Sequence, residues 1–157
     1  MSNPGSGKPY IIAEVGANHN GSFETALGLI DMAALAKADS VKFQIIFPEG
    51  LYLPEFYENG SYRPNPVIEQ RRKLMLKDSE YLKLAEHANE KNIDFSASVF
   101  DERGLDLLLE CSPKYIKLAS CDLNNPALLR KAAEKAGRKE ISIILSTGFS
   151  TFEEIER

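Results

Sequence analysis

One short stretch near the amino terminus, residues 11–21, combines acidic, amide and imidazole side chains. It begins with apolar residues and passes directly into a cluster that includes Glu14, Asn18 and His19, with two glycines among them. A carboxylate can exchange a proton with a substrate, and amides and imidazole can bind its polar groups. Because α/β proteins place such clusters at the ends of buried strands, the stretch predicts the first part of an active site.

Polar residues also interrupt or follow the other apolar runs of the chain. The second run carries Lys42 and Gln44. The later runs contribute Ser96, Ser98, Asp101, Lys117, Ser120, Asp122, Ser146 and Thr147. Repetition of this pattern at successive strand ends predicts one site at the carboxyl-terminal mouth of a barrel, built from all the junctions between strands and helices.

Two lysines, Lys42 and Lys117, lie inside otherwise apolar strands. A buried, unpaired ammonium group is costly, so each lysine is predicted to have an anionic partner. Together with neighbouring serine hydroxyls, the two lysines would suit a ligand that carries both a phosphate and a carboxylate.

Hydrophobic periodicity predicts the elements that position these residues. Strands are predicted over residues 10–15, 40–45, 94–98, 115–119 and 142–146. Helices are predicted over residues 23–36, 79–91, 102–110 and 126–136, with a last helix from about residue 151. Regular alternation of this kind predicts an α/β fold with parallel strands and crossover helices.

One segment, residues 47–77, interrupts the alternation with prolines and aromatic residues. It follows the end of a strand and is predicted to be a long substrate-side loop. Local signals predict helix N-caps at Ser22 and Ser79 and a first-turn proline at Pro126. Asp101 is predicted either to cap the next helix or to contact substrate.

The composition is that of a globular protein with one domain. The chain has 157 residues, of which 43% are hydrophobic and 27% charged, and its net charge is −4. We therefore expect neither a nucleic-acid nor a membrane partner. The two cysteines, Cys111 and Cys121, predict no disulfide framework and fit a cytoplasmic protein. Cys121 is predicted to be a small buried thiol rather than a nucleophile.

Five motifs in this order identify a family resemblance. They are IAEVGANHNG at 12–21, VKFQ at 41–44, FSASVFD at 95–101, KLASCD at 117–122 and LSTG at 145–148. With them the chain resembles the sialic acid synthases. That family includes legionaminic and pseudaminic acid synthases and spore-coat polysaccharide synthase-like proteins. These enzymes condense phosphoenolpyruvate with an N-acylated amino sugar.

The resemblance implies a (β/α)₈ barrel, of which residues 1–157 would supply about the first five strands. It implies that Glu14 and Asp122 handle protons or the attacking water, and that Gln44 approaches the sugar. Asn18 is expected either to bind substrate or to form a turn. The residues expected to hold phosphoenolpyruvate are Lys42, Ser98, Lys117, Ser120 and Ser146. The sequence departs from the family pattern at residues 97–99, which lack one serine and one proline, and at Asp122, where glutamate is frequent.

The resemblance also implies features outside these residues. It implies a divalent metal ion, Mn²⁺ or Mg²⁺, whose histidine ligands lie on three further strands, so none of the present residues is assigned as a metal ligand. It implies a carboxyl-terminal antifreeze-like domain that supplies an arginine to the partner in a homodimer. We therefore expect little or no synthase activity from a chain of these 157 residues alone.

Two other functions fit the same residues. A Schiff-base aldolase also uses a lysine on a barrel strand, and either Lys117 or Lys42 would serve. A non-catalytic fragment would instead act as an interaction module through its exposed strand edges. The acceptor sugar stays open among N-acetylmannosamine, a di-N-acetylated bacterial sugar and a precursor of a spore-coat or surface polysaccharide.

Overall fold

The computed structural model describes residues 7–148 and 150–156, which form a parallel sheet flanked by helices. The strands of this sheet are β1 (Ile12–Gly16), β2 (Ser40–Ile45), β5 (Asp94–Val99), β6 (Tyr115–Leu118) and β7 (Ser142–Leu145). A separate hairpin consists of β3 (Glu55–Glu58) and β4 (Ser61–Pro64). The helices are α1 (Phe23–Leu35), α2 (Pro48–Leu51), α3 (Pro66–Arg72), α4 (Asp78–Glu90), α5 (Glu102–Glu110), α6 (Pro126–Lys139) and α7 (Phe152–Glu156). A 3₁₀ turn covers Ser120–Asp122.

The sheet has the strand order of a barrel wall. Its five strands run β1-β2-β5-β6-β7, and every neighbouring pair is parallel. A doubly wound sheet would reverse its order at a switch point, whereas a (β/α)₈ barrel adds each new strand on the same side. The predicted α/β class is therefore confirmed, and β1 and β7 are the outer strands of the described sheet.

The two faces of the sheet differ in polarity because side chains alternate along each strand. In β2, Val41, Phe43 and Ile45 are fully buried and belong to the hydrophobic core. The intervening positions carry Lys42 and Gln44. The apolar face packs against α1, α4, α5 and α6, so the polar face is free to form the interior of a barrel.

The helix starts agree with the predicted caps except in α4. Ser22 accepts a hydrogen bond from the Thr25 amide at 3.2 Å, and Asn125 caps α6 just before Pro126. The predicted cap at Ser79 is wrong, because α4 already begins at Asp78. There the Glu80 carboxylate accepts from the Lys77 amide at 2.7 Å, which satisfies a free amide at this helix end.

Residues 47–77 are not the irregular loop that was predicted. They form α2, the β3–β4 hairpin and α3. Asn59 and Gly60 have φ of 51° and 83°, as a tight hairpin turn requires. Proline occupies the first turns of α2 and α3, where its missing amide costs nothing. Across the ranges described, no helix is both long and apolar enough to cross a membrane.

Candidate active site

The strand register brings the polar side chains of four strands together at the carboxyl end of the sheet. Glu14 lies opposite Lys42, Gln44 lies opposite Ser98, and Ser98 lies opposite Lys117. Lys42 and Gln44 share one face of β2 because they are two residues apart. Five of the predicted substrate or catalytic residues therefore occupy adjoining positions on one surface.

Lys42 and Glu14 form an ion pair at this surface. The Lys42 Nζ and Glu14 Oε1 atoms are 2.7 Å apart, and the two side chains are 8% and 64% exposed. The β1–β2 register shifts between Glu14 and Gly16, where Gly16 has φ of 54°. This irregularity ends regular pairing beside the ion pair. The prediction of an anionic partner is confirmed for Lys42.

Lys117 has a different environment. Its Nζ donates to the Ser146 Oγ at 2.5 Å and to the Leu118 carbonyl oxygen. No carboxylate of the described residues forms an ion pair with it, so the predicted anionic partner is wrong for Lys117. Partial burial lowers the pKa of Lys117, and the nearby charge of Lys42 lowers it further. Two neutral acceptors suffice because the side chain is only partly removed from water.

The serines of the third strand have separate roles. The Ser96 hydroxyl donates to the Tyr115 carbonyl oxygen at 2.5 Å and therefore joins β5 to β6. Ser98 is buried and lies two residues nearer the carboxyl end of β5, opposite both Gln44 and Lys117. Ser98 is thus the hydroxyl of β5 that lies among the charged residues.

Ser120 borders a cavity at the same end of the sheet. The cavity measures about 330 Å³ and is lined in part by Ser120, Asn124, Gly148 and Ser150. A Cβ atom at Gly148 would lie 3.5 Å from the Ser120 Oγ, so the two junctions are in contact. A volume of this size suits a small ligand.

Asp122 is a buried carboxylate in the 3₁₀ turn after β6. It is 6% exposed, and this burial raises its pKa above the usual range of an aspartate. A carboxyl group with a raised pKa can donate as well as accept a proton near neutral pH. The adjacent Cys121 is exposed, so its predicted burial is wrong; Cys111 is the buried thiol. The tight turn directs successive side chains to different sides.

Asn18 and His19 lie in the turn between β1 and α1. Asn18 is exposed, and its backbone amide donates to the Val15 carbonyl oxygen at 3.0 Å. His19 is buried, and its Nδ1 accepts from the Gly21 amide at 3.1 Å. The Asn18 side chain is therefore accessible to solvent, whereas His19 belongs to the interior of the turn.

One residue that supports this end of the sheet is not predicted from the sequence. The Tyr81 hydroxyl donates to the Gln44 carbonyl oxygen at 3.1 Å, which ties α4 to the end of β2. In the sequence, Tyr81 is simply one residue of an apolar helix face. A buried tyrosine hydroxyl generally needs a hydrogen-bond partner, but the sequence does not show which group that partner is.

A larger cavity lies at the opposite end of the sheet. It measures about 690 Å³ and is lined by residues of α4, the start of β5 and the turn before β6. Its charged lining consists of Glu86, Asp94, Glu110 and Lys114. Three carboxylates against one lysine disfavour an anionic substrate, and sites of this fold lie at the carboxyl end of the strands. We therefore place the candidate site at the polar mouth.

Metal binding has no support from the described side chains. Within residues 7–148 and 150–156, no group of three or more His, Cys, Asp or Glu side chains could hold a metal ion. The residues described here do not fit the divalent ion that the family resemblance implies. What this mouth can do is bind an anion through two lysines and exchange a proton through Glu14, whereas the Asp122 carboxyl group lies beside Asn125 in the 3₁₀ turn.

Comparison with known proteins gives a consistent result. A family model described as the NeuB family matches residues 29–157. The chain is 36% identical over 153 residues to an N-acetylneuraminate-9-phosphate synthase of Drosophila melanogaster. It is 31% identical over 151 residues to an N,N'-diacetyllegionaminic acid synthase of Legionella pneumophila. These alignments cover 94% and 93% of this chain.

A solved structure shares the fold as well. The crystal structure of N-acetylneuraminic acid (sialic acid) synthetase from Leptospira borgpetersenii, in complex with citrate, aligns with a TM-score of 0.79 and 37% identity over 94% of this chain. The chain spans only 40%, 41% and 47% of the length of these three proteins.

Proposed function

Because this chain belongs to the NeuB family, we propose that it forms part of a synthase that condenses phosphoenolpyruvate with an N-acylated amino sugar. The products would be a nonulosonic, sialic-type acid and phosphate. One observation carries the proposal: the mouth holds two lysines, but only Lys42 has a carboxylate partner among the described residues. The unbalanced charge of Lys117 suits an anionic substrate.

Binding of phosphoenolpyruvate would use both lysines and the nearby hydroxyls. Ser146 already orients the Lys117 side chain. The ammonium group would therefore donate a further hydrogen bond to a ligand without rearrangement of the side chain. Ser98 lies opposite Lys117, and Ser120 borders the adjacent cavity. These groups would hold the phosphate and the carboxylate at fixed positions, while Gln44 and Asn18 would contact the sugar.

The two carboxylates would handle the protons of the reaction. Carbon 3 of phosphoenolpyruvate attacks the aldehyde carbon of the open-chain sugar, and the aldehyde oxygen takes a proton to become a hydroxyl. Asp122 suits this donation because burial favours its protonated form. Water then adds to carbon 2 and gives up a proton to Glu14. The bond between carbon 2 and the phosphate oxygen then breaks, the carbon 2 hydroxyl gives its proton to the departing phosphate, and the ketone remains.

Two further parts of the proposal rest on the family resemblance alone. We propose that a divalent metal ion, Mn²⁺ or Mg²⁺, takes part and that the protein acts as a homodimer. The described residues hold no ligand set for the ion, and no step above depends on it.

The test is an assay of the full-length protein with phosphoenolpyruvate, Mn²⁺ and a panel of N-acylated amino sugars. Phosphate release should require one of these sugars. Lys117→Ala should lower turnover by about 100-fold or more, because it removes a charge held at the reacting anion. The matched control is Lys114→Ala, since Lys114 is exposed and directly precedes the amino end of β6. Near-normal turnover in Lys117→Ala would refute the assignment.

A Schiff-base aldolase is the second candidate, because the pKa of Lys117 is lowered by burial and by Lys42. A lysine that attacks a ketone needs a neutral amine. Borohydride reduction in the presence of a ketone substrate separates the two functions. A covalent adduct on Lys117 would support the aldolase, and its absence together with sugar-dependent phosphate release would support the synthase.

A further inference from the structure

His19 is a buried histidine that the proposed reaction does not use. It is 2% exposed, and burial lowers its pKa, so the ring is neutral at ordinary pH. Its Nδ1 accepts a hydrogen bond from the Gly21 amide at 3.1 Å. A neutral imidazole carries one hydrogen, and an accepting Nδ1 leaves that hydrogen on Nε2. The fold of the turn thus fixes the tautomer.

The protonated nitrogen of His19 lacks a protein partner. Among the residues described, none forms a hydrogen bond with Nε2. A buried donor without a partner is rare and costly, so such an atom requires an explanation. The ring borders a cavity of about 20 Å³ that is also lined by Gln44, Tyr81 and Arg71. That volume is sufficient for one water molecule.

Gln44 is the polar neighbour whose side chain still needs to be oriented. The backbone carbonyl oxygen of Gln44 already accepts a hydrogen bond from the Tyr81 hydroxyl at 3.1 Å. The side-chain amide of Gln44 has no hydrogen bond within the described part of the chain. A Cβ atom at Gly16 would lie 3.8 Å from the Gln44 Cδ, so the β1 backbone bounds the amide on one side. The cavity that His19 borders therefore offers Gln44 a polar contact.

We propose that His19 is a positioning residue that holds Gln44 through one buried water molecule. The Nε2–H group of His19 donates to this water, and the water donates to the side-chain oxygen of Gln44. The amide nitrogen of Gln44 is then directed away from the cavity, toward the mouth. The cavity and the unpaired Nε2 atom support the water site. The expected effect on binding of the amino sugar rests on the proposed function.

Two substitutions separate the two nitrogens of the ring. In His19→Asn, the side-chain amide occupies the place of Nδ1 and can still accept from the Gly21 amide, but the donor at Nε2 is lost. In His19→Gln, the amide nitrogen reaches the place of Nε2 and the contact with Gly21 is lost. We expect His19→Asn to raise KM for the amino sugar about fivefold to tenfold, the effect of one lost hydrogen bond. The kcat and the KM for phosphoenolpyruvate should change less than about twofold, and His19→Gln should keep the wild-type KM for the sugar.

A spectroscopic measurement tests the water site without reference to activity. In ¹⁵N-histidine-labelled protein, the ring signals of His19 are assigned by their loss in His19→Asn, and those of His87, which is half-buried and contacts Asp31, serve as the reference. We expect an unprotonated Nδ1, a protonated Nε2 and magnetisation transfer from a long-lived water to the Nε2 proton. The side-chain amide signals of Gln44 should shift in His19→Asn and not in His19→Gln.

Three results would overturn the inference: a proton on Nδ1, no bound water at Nε2, or Gln44 signals that do not respond to His19→Asn. Equal increases in both KM values for His19→Asn would also contradict it, since they would indicate general damage to the mouth. If the wild-type protein shows no sugar-dependent phosphate release, the proposed function fails, and the spectroscopic result still decides whether the water site exists.

Discussion

The Lys42–Glu14 pair predicts an unequal response to the removal of its two members. Lys42 is almost fully buried, whereas Glu14 is 64% exposed. Loss of the Glu14 charge leaves a buried ammonium group without its counter-ion. Loss of the Lys42 charge leaves a carboxylate that water already solvates. Glu14→Gln should therefore destabilise the protein, and Lys42→Met, which keeps the length and volume of the stem, should not.

The size of the effect follows from the burial of each partner. Breaking a fully buried ion pair costs about 3–5 kcal/mol. Water reaches Glu14 and would partly solvate the ammonium group after the substitution, so we expect about 1–2 kcal/mol for Glu14→Gln. For a protein of this size that corresponds to a fall in Tm of about 2–8 °C. Lys42→Met should lie within about 0.5 kcal/mol of the wild type or be slightly more stable.

The assay is urea unfolding followed by circular dichroism, with the m value as the control for an unchanged extent of unfolding. The double variant Glu14→Gln/Lys42→Met should resemble Lys42→Met, because the buried charge that needs a partner is gone. If Lys42→Met costs as much as Glu14→Gln or more, the lysine contributes to stability, and the argument that it is retained for ligand binding is refuted.

Three further results are expected. Burial raises the pKa of Asp122, so the folded state binds its proton more tightly and the wild type loses stability as pH rises through and above the ordinary aspartate pKa; Asp122→Asn should therefore have the higher Tm at pH 7, with the difference vanishing near pH 3. Equal Tm differences at both pH values would contradict this. Gly21→Ala should cost about 2–4 kcal/mol in urea unfolding, because φ is 80° and the new Cβ would lie 2.9 Å from the Lys73 carbonyl oxygen; a cost below about 0.5 kcal/mol would show that the backbone relaxes freely. Asp101→Ala should cost about 1 kcal/mol, since the Asp101 carboxylate caps α5 through the Gly104 amide at 2.6 Å, and Asp101→Asn should retain most of this stability; equal losses would argue against a capping role.

The order of strands and helices could be predicted because hydrophobic periodicity depends on local sequence alone. The predicted second strand, 40–45, coincides with β2. The hairpin at 55–64 is not predicted although Asn59-Gly60 is a strong turn signal, because prolines on both sides of it are typical of loops. Its strands are exposed and lack the apolar alternation that marks a buried strand.

The contacts within the candidate site could be predicted only in part. Polar residues at the strand ends indicated where the site lies, but which residues face each other depends on register. The regular β1–β2 register before Gly16 places Glu14 beside Lys42, and the β5–β6 register places Ser98 beside Lys117. Both follow from how the crossover helices pack, which no local pattern encodes. For the same reason the sequence did not reveal that Lys117 is held by a hydroxyl.

The most direct test of the central claim is a crystal structure of the full-length protein with phosphoenolpyruvate bound. We predict that an anionic oxygen of the ligand lies within hydrogen-bond distance of the Lys117 Nζ, with the Lys117–Ser146 contact retained and Lys42 on the same side of the sheet. Binding of phosphoenolpyruvate elsewhere, for example in the 690 Å³ cavity at the amino end of the strands, would contradict it.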